Sequence, residues 1–238
     1  MDISTIGLDL AKSVFQVHGV DASGAVVIRK VLRRSQVLPF FAKLSPCLVG
    51  MEACGTSHHW GRELIKLGYE VRLMPPAYVK PYVKRGKTDA NDAEAICEAV
   101  TRPTMRFVAV KSTEQQAALA LHRTRNLLVK QRTQLVNMIR GLLAELGIDI
   151  PRGLERALTM ARQIIEGEIL DVPDEAATAI AILCEQALAA HERLRSIDRA
   201  MLAWQRASDL ATRLAPITGI GPVGASALAA SVADPQQF

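Results

Sequence analysis

Hydrophobic and polar positions follow two different rhythms in the two halves of the chain. Residues 3–10 (ISTIGLDL), 14–20 (VFQVHGV) and 25–32 (AVVIRKVL) are short β-branched runs separated by turn residues, so they predict three successive strands. Residues 35–44 predict a helix opening at Ser35, 47–52 (CLVGME) a buried strand, and 57–68 a helix stopped at Gly68, where a left-handed C-cap costs little. Residues 69–74 (YEVRLM) predict a further strand, ended by Pro75-Pro76. Residues 88–100 predict a helix capped by Thr88 or Asp89, and residues 101–112 a linker with one short strand. Three strands followed by alternating helix and strand describe an α/β domain with a mixed sheet.

The second half carries a helical period. Leu121, Leu128, Leu135 and Leu142 recur every seven residues in one long pattern from about Ser112 to Leu146. Pro151, Gly153 and Pro173 bracket less regular ground with a short helix. A second long helix is expected from about Asp174 to Leu214, with Ile180, Leu183, Ala187, Ala190, Leu194, Ile197, Met201 and Trp204 at heptad a/d spacing. More than three heptads point to a coiled-coil hairpin or dimer seam; two helices of a monomeric bundle would show a similar stripe. Residues 215–232 read as a helix end, a Gly-Ile-Gly-Pro turn and a helix start. The expectation is that the sequence stops inside a domain.

Composition adjusts this picture only slightly. Of the 238 residues, 49% are hydrophobic, enough for a sizeable core and too many for a disordered chain. Lys and Arg total 29 against 24 acids, a mild excess that suits a polyanionic partner without proving one. Cys47, Cys54, Cys97 and Cys184 form no C-x-x-C pair and are read as reduced thiols of a cytoplasmic protein. No run approaches ~18 apolar residues, and the first residues lack a signal-peptide pattern, so no membrane span is expected.

The candidate chemistry lies in four acids. Asp9 sits in an apolar strand run, where a carboxylate is costly unless paired or bound to a metal. Glu52 ends a second apolar run, and Asp89 and Asp92 are three apart at a helix start, so they share a face. Hard oxygen ligands of this kind suit Mg²⁺, and two such ions roughly 4 Å apart can clamp the attacking and leaving oxygens of a phosphodiester. Taken singly, each acid also has a plain structural reading: an edge or turn residue for Asp9, a partner of Arg62 or His58 for Glu52, a cap and a dipole-facing residue for Asp89 and Asp92. His58 and His59 read as an exposed helix start.

Gly-Leu-Asp-Leu-Ala-Lys (7–12), Met-Glu-Ala-Cys-Gly (51–55) and Lys-Thr-Asp-Ala-Asn-Asp-Ala (87–93) resemble the DEDD motifs of the insertion sequence 110 family of transposases and the related Piv invertases. The resemblance implies an RNase H-like (RuvC-like) fold over residues 1–110, a coiled-coil region over 111–212, and over 213–238 the start of a helical C-terminal transposase domain. It implies a DNA recombinase that cleaves and rejoins strands in insertion-sequence transposition. Asp9, Glu52, Asp89 and Asp92 would be its catalytic, metal-binding tetrad for Mg²⁺, with two ions. It further implies DNA as partner, a structured guide RNA of the bridging kind, a dimer or tetramer built through the coiled coil, and a nucleoid-associated, cytoplasmic place of action. The family's nucleophilic serine is expected downstream of Phe238, and neither Ser226 nor Ser231 is assigned that role. Two rivals remain: a RuvC-type junction-resolving nuclease, and a non-enzymatic nucleic-acid-binding remnant.

Basic residues fit the same theme. Arg72, Lys80, Lys84, Arg85 and Lys87, interleaved with Tyr78 and Tyr82, precede the Asp-x-x-Asp helix, and Lys12 follows the first acid. Cations beside carboxylates can hold phosphates, and tyrosines can stack on bases. Gly219 and Gly221, in a helix-hairpin-helix-like turn, are candidates for backbone contact with a phosphate. Arg123, Arg125, Lys130, Arg132 and Arg140 on the first long helix form a second basic stripe, open to the reading of a solvated face.

Overall fold

The structure, a computed structural model, describes residues 2–84, 88–167 and 172–232. The chain divides into two compact units, with the boundary between Thr113 and Glu114.

In the first unit the described residues form a five-stranded sheet of order β3-β2-β1-β4-β5. Its strands are β1 (Thr5–Leu10), β2 (Val14–Val20), β3 (Val26–Arg33), β4 (Leu48–Glu52) and β5 (Glu70–Met74). β1–β2 and β2–β3 are antiparallel, whereas β1–β4 and β4–β5 are parallel, so the sheet is mixed as expected. Side chains alternate between its two faces. One face carries Ile6, Leu8, Phe15, Val17, Val49, Met51 and Leu73, all buried with Val37 and Phe41 of α1 (Val37–Phe41) and Trp60 and Leu64 of α2 (Ser57–Lys66). Phe15 meets Trp60 edge-on at 5.1 Å, and the Tyr69 hydroxyl donates to the Phe41 carbonyl at 2.7 Å, tying α1 to the start of β5. Gly68, at φ +89°, supplies the left-handed turn between α2 and β5.

The other face receives α4 (Asp89–Ala99), which follows the single turn α3 (Pro76–Val79). Thr88 caps α4, its hydroxyl accepting from Asn91 N. The helix lies unusually close to the sheet because Gly7 and Gly50, paired across β1 and β4, put no side chain beneath it. A Cβ on Gly7 would collide with the Ala93 carbonyl oxygen and stand 2.5 Å from Cys97 N; one on Gly50 would stand 2.7 Å from the Val100 Cβ. Ala93, Ala95, Ile96, Cys97 and Ala99 fill that contact.

Several element boundaries depart from the sequence expectations. The helix expected from Ser35 begins as a 3₁₀ turn, Arg34–Gln36, before α1. The linker holds no strand among the described residues; Val108 makes only an isolated bridge to Leu73, whose carbonyl accepts from Val108 N at 2.8 Å.

The second unit is helical: α5 (Thr113–Glu145, entering from the first unit), α6 (Leu154–Ile165), α7 (Asp174–Ala207), α8 (Asp209–Leu214) and α9 (Pro222–Ser231). α5 and α7 run antiparallel: Arg125 Nε donates to Asp198 Oδ1 at 2.6 Å, and Arg132 lies 3.1 Å from His191 Nδ1. Val136, Ile139 and Leu143 pack with Ile180, Cys184 and Ala187 under α6. The second long helix is broken where the pattern read it as continuous. Ser208 leaves helical geometry and its hydroxyl accepts from Ala211 N, starting α8 afresh. The Leu121/Leu128/Leu135/Leu142 stripe is only half-buried, and Val136, Ile139 and Leu143 occupy the seam instead. Of the five cations on α5, Arg125 and Arg132 bond to α7, and Arg140 donates to the carbonyls of Pro151 and Gly153. These three fasten the unit together and are not free for an outside partner. No helix among the described residues is long and apolar enough to cross a membrane.

Candidate functional site

The strand register places the first two acids. Leu8 of β1 pairs with Met51 of β4, and one step further toward the carboxyl ends of these neighbouring parallel strands come Asp9 and Glu52. Alternation puts Asp9 on the face of Gly7 and Glu52 on the face of Gly50, the face that α4 covers. The second pair follows from the direction of α4. The Cys97 thiol donates to the Thr5 carbonyl at 3.8 Å, and Gly7 lies under Ala93 and Cys97. Moving from Thr5 to Gly7 to Asp9 therefore means moving from Cys97 back to Ala93 and on to Asp92 and Asp89, in the first turn of the helix.

The electrostatics record this juxtaposition. Burial pushes the Asp9 carboxyl up from 3.8 to about 6; the charges of Asp92 and then Asp89 push the same way, and a hydrogen bond from Leu10 N opposes them. Excess negative charge of this sort, on hard oxygen donors, is the chemistry a divalent cation relieves. Asp92 is half-buried and Asp89 exposed. The helix amino terminus favours ionised acids in its first turn. No three His, Cys, Asp or Glu side chains among the described residues are placed to hold one ion together. Asp89 and Asp92 thus lie within electrostatic range of Asp9, but the acids are not drawn into a coordination shell.

The raised Asp9 value has a pH consequence. A carboxyl whose folded value lies above its unfolded value favours the fold while neutral, below about pH 4, and that contribution disappears as pH rises through about 6. Asp9→Asn in metal-free protein is therefore expected to match wild type at pH 4. At pH 8 it should exceed wild type by about 1 kcal/mol, after allowance for screening of a partly exposed group. Urea unfolding at the two pH values measures this.

The basic neighbours are arranged differently from their sequence reading. Arg72 is paired with Glu70 at 2.6 Å and its guanidinium stacks on Phe107. Lys84 is paired with Glu94 of α4, which also accepts from Arg29 of β3 at 3.3 Å. Tyr82 is half-buried beneath Arg102. Acids and a cation thus engage these three members of the expected nucleic-acid patch. Tyr78 and Lys80 are exposed, as is Lys12 at the β1–β2 turn. Arg85 and Lys87 lie outside the described residues. Gly219 adopts φ +88° in the turn before α9, and neither it nor Gly221 has any atom near the place of a Cβ, so backbone is open there.

His58 is not at an exposed helix start. It is half-buried and its Nδ1 accepts from Lys111 N at 3.1 Å; burial, followed by Lys111 and Arg62, lowers its value to about 4. Arg62 donates to the Lys111 carbonyl at 2.6 Å. The residues missed by sequence reading are Gly7 and Gly50. A strand glycine signals close backbone approach in general terms, but its partner on α4 is remote in sequence.

Fold and site together define an α/β domain with acids gathered at the carboxyl ends of its central strands, followed by a helical unit. The family model of DEDD transposases of the IS110 type matches residues 6–148. A probable family 20 transposase of Pseudomonas aeruginosa is 48% identical over 239 residues, covering 100% of this chain and 71% of its own length. A putative transposase of Sinorhizobium fredii is 44% identical, covering 99% of the chain and 60% of itself. The transposase for insertion sequence element IS1111A of Coxiella burnetii is 38% identical, covering 100% and 65%. The chain belongs to the IS110 family of DEDD transposases. It spans 60 to 71% of the length of these relatives.

Proposed function

We propose that this chain is the metal-binding, strand-processing part of a DNA transposase. Residues 1–110 would form an RNase H-like, RuvC-like catalytic domain, 111–212 a coiled-coil region, and 213–238 the start of a helix-hairpin-helix-like domain. The observation that carries the reading is the juxtaposition of Asp9, beside Glu52 at adjacent strand ends, with the helix start that bears Asp92 and Asp89. Asp9, Glu52, Asp89 and Asp92 would hold two Mg²⁺ ions. When bound, the ions neutralise the scissile phosphate and stabilise the attacking and leaving oxygens.

The chain's own contribution is positional. β1 and β4 hold Asp9 and Glu52 rigidly, and the glycine platform fixes the distance of α4 from the sheet. The amino terminus of α4 presents Asp89 and Asp92 together in its first turn. Tyr78, Lys80 and Lys12 are exposed cations and ring surface suited to a nucleic-acid strand. The open backbone at Gly219 and Gly221 suits a phosphate. Leu127, Met138 and Ile182, each at least half exposed on the helical unit, support a homo-oligomer. A structured guide RNA rests on the family resemblance alone.

Calorimetric titration with Mn²⁺ tests the reading. Wild type is expected to bind, and Asp92→Asn to bind at least tenfold more weakly, a loss of about 1.4 kcal/mol. Equal heats for the two proteins would remove the metal assignment.

A further inference from the structure

We propose that Lys12, Arg33 and Arg34, with Ser13 and Ser35, form a cradle for DNA backbone phosphates flanking the one at the acids. This rests on the reading of Asp9 as part of a metal site. These residues line a shallow concavity where the β1–β2 turn meets the end of β3, and no acid takes part in the lining. Among the described residues none of the three cations enters an ion pair, in contrast to Arg29, Arg72 and Lys84.

The concavity is built. Arg34 N donates to the Ser13 carbonyl at 3.3 Å, which fastens the arginine segment to the turn carrying Lys12, and Arg33 N donates to Gln36 Oε1 at 2.8 Å, which fixes the turn after β3. The Arg34 guanidinium stacks 5.2 Å from the centre of the Trp60 ring, which orders a side chain that would otherwise lose freedom on binding.

Its position relative to the acids comes from the register. Asp9 pairs with Gln16, Gln16 with Val31, and Val14 with Arg33, so Asp9, Gln16, Val31 and Arg33 point to one face of the sheet. α4 covers β1, β2 and β4 on that face, whereas Val31 on β3 is 57% exposed. The strip from half-buried Asp9 and Gln16 to exposed Val31 and Arg33 therefore opens toward the edge of the sheet. Strand spacing and rise put Arg33 about 12 Å from Asp9 between Cα atoms. Lys12, three residues beyond Asp9, is at most ~11 Å away. A strand whose scissile phosphate stands at the acids passes these cations with its neighbouring phosphates. DNA is the occupant because the strip is continuous with the acids, where the strand to be cut must lie.

The test is fluorescence anisotropy of a labelled 30-base-pair DNA duplex with the full chain, in EDTA, over a salt series. Lys12→Gln with Arg33→Gln is expected to bind roughly tenfold or more weakly, and the slope of log K against log salt should fall in magnitude by about 2. Lys43→Gln with Lys66→Gln, the same loss of two charges outside the concavity, is expected to leave affinity and slope almost unmoved. Unchanged affinity and slope in the double variant would overturn the cradle. So would a wild type that does not bind duplex DNA, or a loss seen only with a structured RNA of equal length. The double variant should keep the wild-type thermal response to Mn²⁺. A wild type that lacks this response but shows the slope change would sink the metal reading and leave the cradle standing.

Discussion

Gly7→Ala is expected to destabilise the first unit by about 3 kcal/mol or more, among the largest effects a single methyl group can have. The added carbon would meet the Ala93 carbonyl oxygen and lie 2.5 Å from Cys97 N and 2.8 Å from Cys97 Cβ. Two of these three are backbone atoms, which cannot swing aside as a side-chain end can, so α4 must lift from the sheet. Lifting it opens the layer of Ala93, Ile96 and Val100. It also carries Asp89 and Asp92 away from Asp9, so stability and metal binding should fall together. Gly55→Ala, where nothing lies within 4 Å, should stay within about 1 kcal/mol of wild type. Urea unfolding followed by Trp60 fluorescence in a Trp204→Phe background isolates the first unit. Equal midpoints for Gly7→Ala and wild type would show that α4 does not rest on a glycine platform.

The second large effect appears only with metal. Asp89→Asn with Asp92→Asn removes two charges that repel Asp9 but also two that favour the helix amino terminus, so metal-free protein at pH 8 should change by no more than about 1 kcal/mol. The same change removes half of the proposed ligand set. A ligand present at a hundred times its Kd stabilises a fold by about 2.7 kcal/mol, and this gain should appear in wild type and vanish in the double variant. Thermal unfolding with EDTA and with excess Mn²⁺ gives both values. A double variant that still gains stability in Mn²⁺ contradicts the arrangement.

The strands were legible because their signals are local. Ile6, Leu8, Phe15, Val17, Val49 and Met51 alternate with polar or small residues, and tertiary packing preserves that phase. Thr88 was legible as a cap because its partner, Asn91, is three residues away. The acids were legible as a set through their motifs, and the parallel register then places Asp9 beside Glu52. Failures came where the deciding partner was distant. The partners of Lys84 and Arg72 were not legible, because Glu94 and the Phe107 ring are remote in sequence from those cations. The leucine heptad of α5 had the right period but the wrong phase, since α6 and α7 together choose which side of the helix is buried. Ser208 broke a helix that the apolar period carried through, because a hydroxyl able to cap competes with continued helix whatever its neighbours' hydropathy. Arg33 escaped notice because its face of the sheet depends on pairing with Val14.

The most direct measurement is paramagnetic broadening in amide-correlated NMR spectra of the labelled chain as substoichiometric Mn²⁺ is added. If the acids meet around a cation, the signals of Leu10, Ala53 and Ala90 should weaken first and together, and remain sharp in Asp9→Asn. Broadening confined to one of these segments, or scattered over unrelated carboxylates such as Glu145 and Glu185, would contradict a shared metal centre.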